Sequence, residues 1–465
     1  MRHNWRSPCF TLGLLAGWLA LTGATPAQEK KELKKQPAKK AVKEAAPIIT
    51  YPPTLPDGKT FASDTSPLFL QPPATLVEGV TIAKTAPQVD FAYFPGQDYE
   101  GKPWSNWGDS TAAGGKYYTA IGDHLAPQGN ALVFEYNPAN HEFRTLAETA
   151  KILELPEGHY KPGKIHTRLD MGRDGWIYFS THRGSPRVTN DQYHYKGDWI
   201  FRANPTTGKS EIVVHAPVEK HCIPNGTLDT DRLIFYGGTA PGAGDAKDIR
   251  FFAYDCANHK LLYSGPNGPA RYMMLSKSTG KVYYVPGAGD SPIMRFDPTS
   301  PEAPVEIPGS IGVRAATRET PQGIIYTVSL GQGDATAEIY AFDVKTEKAT
   351  KLGTAAVGVN DYVAAVDADP SGRYLYYVPG AHGGSEKDNS AVVQFDTQTR
   401  QKKVIAFLHP FYEQKYKCIP KGTYAVAVDP SGDKLYVTWN VSRGSRAWDC
   451  CAVTTIHIPS TERPQ

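Results

Sequence analysis

The sequence predicts an all-β protein, a seven-bladed β-propeller that occupies residues 111–465. Three observations lead to this prediction. The chain has 26 tyrosines and only 5 methionines, and tyrosine packs well on a pleated sheet. It also has 43 glycines and 38 prolines, residues that form turns. From about residue 110, a unit of short strands and Gly/Pro/Asp turns recurs seven times at roughly 40–60 residues, the period of four-stranded blades around a channel.

Residues 1–27 are interpreted as a signal peptide. Arg2 and Arg6 precede the apolar run Phe10–Leu21, which is too short to cross a membrane as a helix. Small residues follow, with candidate cleavage positions after Ala24 and Ala27. We therefore expect an exported protein, secreted or periplasmic, that has no membrane span.

Two further segments precede the propeller. Residues 28–48 are rich in Lys, Ala, Glu and Pro, a composition that predicts a disordered basic linker. Residues 49–110 are rich in proline and aromatic residues and show no clear period. They predict an irregular N-terminal wrap packed on the propeller, and this wrap could add a closing strand.

The blades are defined by turns, each followed by an aromatic strand. The clearest turns read Asp-Pro-Ser-Gly at 369–372 and again at 429–432, and these residue types favour tight turns. No helical stretch of the length that a parallel α/β fold needs lies between the strands. The seven turns lie at residues 114–115, 173–175, 229–231, 278–280, 321–323, 369–372 and 429–432.

Charge and cysteine content exclude two classes of function. The whole chain carries a net charge of only +3, and its basic leader and linker account for that excess. A near-neutral body does not have the charge of a nucleic-acid-binding protein. We also expect a monomer.

The sequence C-x-x-C-H of covalent haem attachment is missing. An odd number of cysteines follows the leader, which leaves at least one thiol free or paired with another chain; they are Cys222, Cys256, Cys418, Cys450 and Cys451.

The propeller geometry predicts where binding residues lie. The start of each inner strand and the end of each second strand converge on one mouth of the channel, where loops on a rigid scaffold commonly bind ligands. The sequence therefore predicts a cationic, titratable mouth. Strand starts supply His166, Arg168, His221, Asn225, Arg271, Tyr272, Arg314, Tyr362 and Tyr424, and strand ends supply His124, His182, Arg183 and His382.

Several of these residues also have an ordinary structural explanation. Arg168 and Arg271 could pair with the recurring Asp residues of neighbouring strands. Tyr193 and Tyr195 are interpreted as a sugar-stacking surface in a long loop, yet loop aromatics can simply pack the loop down. Trp104 is a candidate substrate contact, and Trp104 and Trp107 could cap the mouth or instead seal the N-terminal wrap.

A divalent metal site is left open by the sequence. Histidine is the commonest metal ligand, and His124, His221 and His382 are the candidate ligands. No His-x-His or His-Glu-x-x-His spacing occurs, so such a site would draw its ligands from several blades. The sequence also has no sialidase-type Asp box and no Gly-x-Ser-x-Gly elbow of a serine hydrolase.

The repeat resembles two groups of known proteins. Residues 366–376 (VDADPSGRYLY) and 428–436 (VDPSGDKLY) resemble exported bacterial β-propellers of the lactonase-like and surface-layer repeat kind, which implies the fold and not the function. The stretch from His166 to His182, with downstream Arg and Tyr, is similar to seven-bladed polysaccharide lyases of acidic glycans, such as ulvan and oligogalacturonate lyases.

The second resemblance implies β-elimination on a uronate-containing polysaccharide. Its implied parts are a base, a cation or metal that neutralises the uronate carboxylate, and an acid for the leaving oxygen. They correspond to His166 or His182 as base, Arg168 or Arg271 as cation, and Tyr193, Tyr195 or Tyr272 as acid. The alternative function is a non-catalytic propeller in which the same residues hold an acidic glycan or a partner protein. A quinone-dependent dehydrogenase is a third and less favoured option.

Overall fold

The described residues fold into seven sheets arranged as the blades of a β-propeller, as the sequence predicts. This computed structural model describes residues 49–183, 185–242, 248–269, 271–286, 291–331, 336–444 and 446–463. The predicted signal peptide, residues 1–27, and the predicted linker, residues 28–48, lie outside these ranges.

Blades 1 to 3 each contain four strands taken in chain order. Blade 1 consists of β4 (Thr111–Ala113), β5 (Lys116–Gly122), β6 (Ala131–Asn137) and β7 (Glu142–Glu148). Blade 2 consists of β8 (Asp170–Met171), β9 (Ile177–Ser180), β10 (Trp199–Ala203) and β11 (Ser210–His215). Blade 3 consists of β12 (His221–Asp229), β13 (Ile234–Pro241), β14 (Arg250–Asp255) and β15 (Lys260–Pro266).

Blades 4 to 6 repeat the same order, with the first strand innermost. Blade 4 consists of β16 (Met273–Leu275), β17 (Val282–Tyr284), β18 (Ser291–Phe296) and β19 (Val305–Ile311). Blade 5 consists of β20 (Ala315–Ala316), β21 (Ile324–Val328), β22 (Glu338–Asp343) and β23 (Lys348–Thr354). Blade 6 consists of β24 (Val366–Ala368), β25 (Tyr374–Tyr377), β26 (Ala391–Asp396) and β27 (Lys402–Phe407).

Blade 7 is completed by the N-terminal segment. Its C-terminal strands are β28 (Ile419–Val428), β29 (Lys434–Ser442) and β30 (Cys450–His457). Strand β3 (Gln88–Tyr93) pairs with β30, and β1 (Phe61–Thr65) pairs with β3. A further short strand, β2 (Thr81–Ile82), runs parallel to β27 of blade 6. The segment therefore closes the ring and covers the edge of β30, which would otherwise be free to pair.

The Asp-Pro-Ser-Gly turns show why the repeat has this sequence. In the turn of blade 6, the Asp369 carboxylate accepts a hydrogen bond from the amide of Tyr374 at 2.7 Å. Gly372 has a φ of 74°, a left-handed conformation that costs glycine nothing. These contacts are local in sequence, and for that reason the turn can be recognised from the sequence.

The hydrophobic core lies between adjacent blades and is built largely from the aromatic second strands. Tyr117 of blade 1 stacks on Tyr436 of blade 7 with ring centroids 5.0 Å apart. The Tyr117 hydroxyl and the Thr438 hydroxyl are hydrogen-bonded at 2.9 Å. This contact joins the first and last blades at the point where the ring closes.

Only two α-helices, both short, occur in the part of the chain that the structure describes: α1 (Thr149–Leu153) and α2 (His409–Tyr416). No helix among these residues is long and apolar enough to cross a membrane. The five cysteines among the described residues are all buried and carry free thiols, so no disulfide joins the blades in this part of the chain.

Candidate functional site

A cavity of about 720 Å³ opens on the mouth that the sequence predicts, and its volume is typical of a small-molecule pocket. All seven blades contribute to its wall, because each inner strand begins there. Taken in blade order, one lining residue from each is Trp107, His166, Asn225, Tyr272, Arg314, Tyr362 and Tyr424.

His166 and His182 lie side by side in this wall. His166 precedes the inner strand of blade 2, and His182 follows the second strand, β9. The bridge between Ile165 and Thr181 aligns them. Their ring centroids are 4.2 Å apart. Neither His166 Nε2 nor His182 Nδ1 has a hydrogen-bond partner among the described residues.

The environment keeps both imidazoles neutral. Burial lowers the pKa of His166 well below its usual value, and the neighbouring His182 and Lys164 lower it further. Burial also lowers the pKa of His182, with Lys164 and Arg183 adding to the effect. Burial and nearby positive charge both disfavour the imidazolium ion. Each ring therefore has an unprotonated nitrogen at neutral pH.

Trp107 has ring contacts with three of the candidate histidines, namely His124, His166 and His382. Its Nε1 donates a hydrogen bond to His124 Nε2 at 2.5 Å, and its ring stacks on His166 with centroids 5.5 Å apart. Lys164 Nζ lies 4.3 Å from the centroid of the indole, and burial lowers the pKa of this lysine to about 8. Burial and Lys164 lower the pKa of His124 to about 3, so that His124 is a neutral acceptor that fixes the indole.

Arginines make the cavity positive. Arg271 is exposed at its rim, and Arg314 is half-buried. Arg314 Nε donates to the Tyr362 hydroxyl at 2.8 Å. Arg183 donates to the carbonyl of Pro241. Neither Arg271 nor Arg314 forms an ion pair with an acidic side chain among the described residues, and so both can bind an anion.

Two tyrosines of the wall have different hydrogen-bonding environments. Tyr272 is 6% exposed, and its hydroxyl has no partner among the described residues. The Tyr424 hydroxyl is 2.6 Å from Nδ1 of His382. Burial raises the pKa of both hydroxyls above the ordinary value. Both therefore keep their protons at neutral pH.

Arg168 does not line this cavity, which corrects its sequence-based assignment to substrate binding. It is buried and forms an ion pair with Asp109, with Nη2 3.1 Å from Oδ2. Nη2 also donates to the carbonyl of Ala316 at 2.5 Å. Asp109 is the single carboxylate in the described lining of the cavity, and this pair neutralises it. Arg168 therefore joins blades beneath the cavity and leaves the charge above it positive.

Three aromatic candidates also lie elsewhere and are corrected. Trp104 is fully buried and donates from Nε1 to the carbonyl of Tyr99 at 2.8 Å, so it seals the N-terminal wrap. Tyr195 is buried, and its hydroxyl donates to the carboxylate of Asp198 at 3.1 Å. Tyr193 packs against the core between blades 1 and 2. None of the three is part of the described cavity wall.

The predicted ligand set His124, His221 and His382 does not fit a metal ion. The described residues contain no group of three or more His, Cys, Asp or Glu side chains placed to hold one. His221 is buried away from the cavity, with Nδ1 2.8 Å from the Glu219 carbonyl and Nε2 3.1 Å from the Asp248 carbonyl. Nε2 of His124 already accepts a hydrogen bond from the Trp107 indole N–H. We therefore assign no step to these residues as metal ligands.

Tyr362 and Tyr424, which the strand starts assign to the mouth, line the cavity together with Trp107, the candidate cap of the mouth. The register of the blades relates two of these residues to His166. Trp107, His166 and Tyr362 each stand four residues before the first residue of an inner strand, β4, β8 and β24. Because equivalent positions in a propeller face the same mouth, aligning the blades on His166 finds the other two.

Comparison with known proteins identifies similar folds. No protein-family model matches the sequence, and no curated protein is similar to it. An oligogalacturonate lyase in complex with manganese is similar in structure, with a TM-score of 0.53 and 10% identity over 87% of this chain and 98% of that one. The oligogalacturonate lyase of Vibrio parahaemolyticus gives a TM-score of 0.52 at 9% identity, with the same coverage. At these identities the likeness shows a shared propeller fold and not a shared activity.

Proposed function

We propose that this chain is an exported enzyme that cleaves uronate-containing polysaccharide by β-elimination in the cavity. One observation carries the proposal. Two neutral histidines with unpartnered nitrogens, His166 and His182, border a cavity that also contains Arg271 and Arg314, which have no acidic partner among the described residues. A neutral base beside cations is what removal of a proton next to a carboxylate requires.

The arginines bind the uronate carboxylate and stabilise the charge that develops on it. The proton on the carbon next to the carboxylate becomes more acidic when a cation neutralises that group. Arg271 and Arg314 approach from neighbouring blades 4 and 5. Such preorganised charge acts before and during proton removal.

The histidine pair takes the proton. One imidazole nitrogen of His166 or His182 accepts it, and the electrons of the broken C–H bond form the new C=C bond. The bond to the glycosidic oxygen then breaks, and a hydroxyl group of the cavity protonates that oxygen. The products are an unsaturated uronate and a shortened glycan, and no oxidant or reductant is consumed.

The comparisons support an acidic sugar as the substrate. The two similar structures are named as oligogalacturonate lyases, and galacturonate carries the carboxylate that this cavity could bind. The second candidate is a propeller that binds acidic glycan without cleaving it. The positive charge and the aromatic wall favour this function as strongly, but the paired neutral histidines favour catalysis.

The test is incubation of the chain with a panel of acidic polysaccharides, followed by the ultraviolet absorbance of unsaturated uronates. We expect the product with wild-type protein and a loss of roughly 10²–10⁴-fold with His166→Ala or His182→Ala. Arg271→Ala should weaken both binding and turnover. The matched control is His159→Ala, because His159 and His194 form another pair with centroids 4.2 Å apart, outside the described cavity wall. Binding of the glycan without product would overturn the proposal in favour of the second candidate.

A further inference from the structure

One wall of the cavity contains hydrogen-bonded polar side chains that take no part in the proposed proton removal by histidine. It runs through blades 5, 6 and 7. Arg314 Nε donates to the Tyr362 hydroxyl at 2.8 Å, and its guanidinium carbon lies 5.2 Å from the Tyr362 ring and 5.6 Å from the Tyr424 ring. The Tyr424 hydroxyl lies 2.6 Å from His382 Nδ1. All four residues carry exchangeable protons, and all four line the cavity.

Tyr424 and Tyr272 differ in their access to a new proton. A group that gives up a proton in each turnover must recover one before the next. The Tyr272 hydroxyl is buried and has no hydrogen-bond partner among the described residues, so it has no neighbour to supply a proton. Tyr424 is bonded to His382, whose side chain is exposed. Tyr424 therefore has a connection to water.

Tyr424 also lies near the proposed base. The rings of His166 and Tyr424 both contact Trp107, with centroid distances of 5.5 and 4.8 Å. Both rings thus belong to the part of the cavity wall around Trp107. Elimination needs both groups at one sugar linkage, since the two bonds that break belong to adjacent carbons.

We propose that Tyr424 is the proton donor to the leaving glycosidic oxygen and that His382 resupplies its proton. The inference rests on the proposed β-elimination. The Tyr424 O–H bond breaks as the leaving oxygen takes the proton together with the electron pair of its C–O bond. The tyrosinate then takes the Nδ1 proton of His382 while water protonates this exposed ring at Nε2, and exchange with water moves the ring proton back to Nδ1 before the next turnover. The proton that the base releases neutralises the hydroxide left by that water, so protons and charges balance over the cycle.

The experiment varies the leaving group. One substrate is an oligouronide, whose sugar oxygen needs a proton to leave. The other is a uronide with fluorine in place of that oxygen, because fluoride departs without protonation. Tyr424→Phe should lower turnover of the oligouronide by about 10²–10⁴-fold and leave fluoride elimination nearly unchanged. His382→Gln should show the same selectivity with a smaller loss of turnover. Water can still reprotonate Tyr424 in this variant, but more slowly than the imidazole does.

The rival tyrosine provides the matched comparison. Tyr272→Phe should change both rates by one common factor, as expected for a packing effect. A loss selective for the oligouronide in Tyr272→Phe, or an equal loss on both substrates in Tyr424→Phe, would overturn the assignment of Tyr424. If wild-type protein eliminates neither leaving group, the proposed function itself fails and this inference fails with it. Folding of each variant is checked by a ¹⁵N NMR spectrum, in which Tyr424→Phe should shift the His382 Nδ1 resonance and leave the His166 resonances in place.

Discussion

The ion pair beneath the cavity gives the sharpest prediction about stability. Arg168 and Asp109 have side chains that are 6% and 9% exposed. Arg168 donates to Asp109 Oδ2 from Nε at 3.2 Å and from Nη2 at 3.1 Å, and to the carbonyl of Ala316. Arg168→Met removes all three hydrogen bonds and leaves the Asp109 carboxylate buried without its cation. Loss of one partner of a buried pair costs about 3–5 kcal/mol, which we expect as the drop in the free energy of unfolding.

Urea denaturation followed by tryptophan fluorescence measures this change. The control is Arg144→Met, because Arg144 pairs with Glu135 on the surface, where its side chain is 45% exposed. That variant should lose no more than about 1 kcal/mol. The double variant Arg168→Met/Asp109→Leu should recover most of the loss, since no uncompensated charge stays buried. A change below about 1 kcal/mol in Arg168→Met would refute the structural role of this pair.

Three further predictions follow from the site. The acidic limb of the pH–rate profile should lie below pH 6.5, because burial and nearby cations lower the pKa of His166 and His182. Both rings stay unprotonated until the pH falls through these lowered pKa values, and an acidic limb at or above pH 6.5 would contradict this. Lys164→Met removes a cation that lowers both of these pKa values, and so NMR titration should find the two imidazoles with higher pKa values in this variant. Burial raises the pKa of the Cys450 and Cys451 thiols. A thiol reagent should therefore modify them only after unfolding, and rapid modification of the native protein would be inconsistent with the structure.

The fold could be predicted because its signals are local. The turns at 369–372 and 429–432 depend on hydrogen bonds between residues a few positions apart. Closure of blade 7 is different, because β3 pairs with β30 across most of the chain. The sequence allowed a closing strand in the wrap but could not say which residues would form it. Pairing over such a distance depends on the geometry of the whole ring.

The site could be predicted only in part for the same reason. His166 and His182 flank two strands of one blade, and that local relation brings their rings together. Arg168 and Arg271 have similar positions in the sequence, but Asp109 comes from another blade and pairs with Arg168. No local pattern distinguishes the two arginines. Trp107 stands four residues before the inner strand β4 and lines the cavity. Trp104 lies only three residues earlier but is buried in the wrap.

The central claim is that β-elimination at a uronate takes place in the cavity, with a neutral histidine as the base. The most direct measurement is the rate at which unsaturated uronate appears from an acidic polysaccharide with wild-type protein and with His166→Ala/His182→Ala. We expect steady formation of the product by wild-type protein and its loss in the double variant, whose fold and glycan binding persist. Wild-type protein that binds the glycan and forms no unsaturated product, with or without added divalent metal, would contradict the claim and identify a binding propeller.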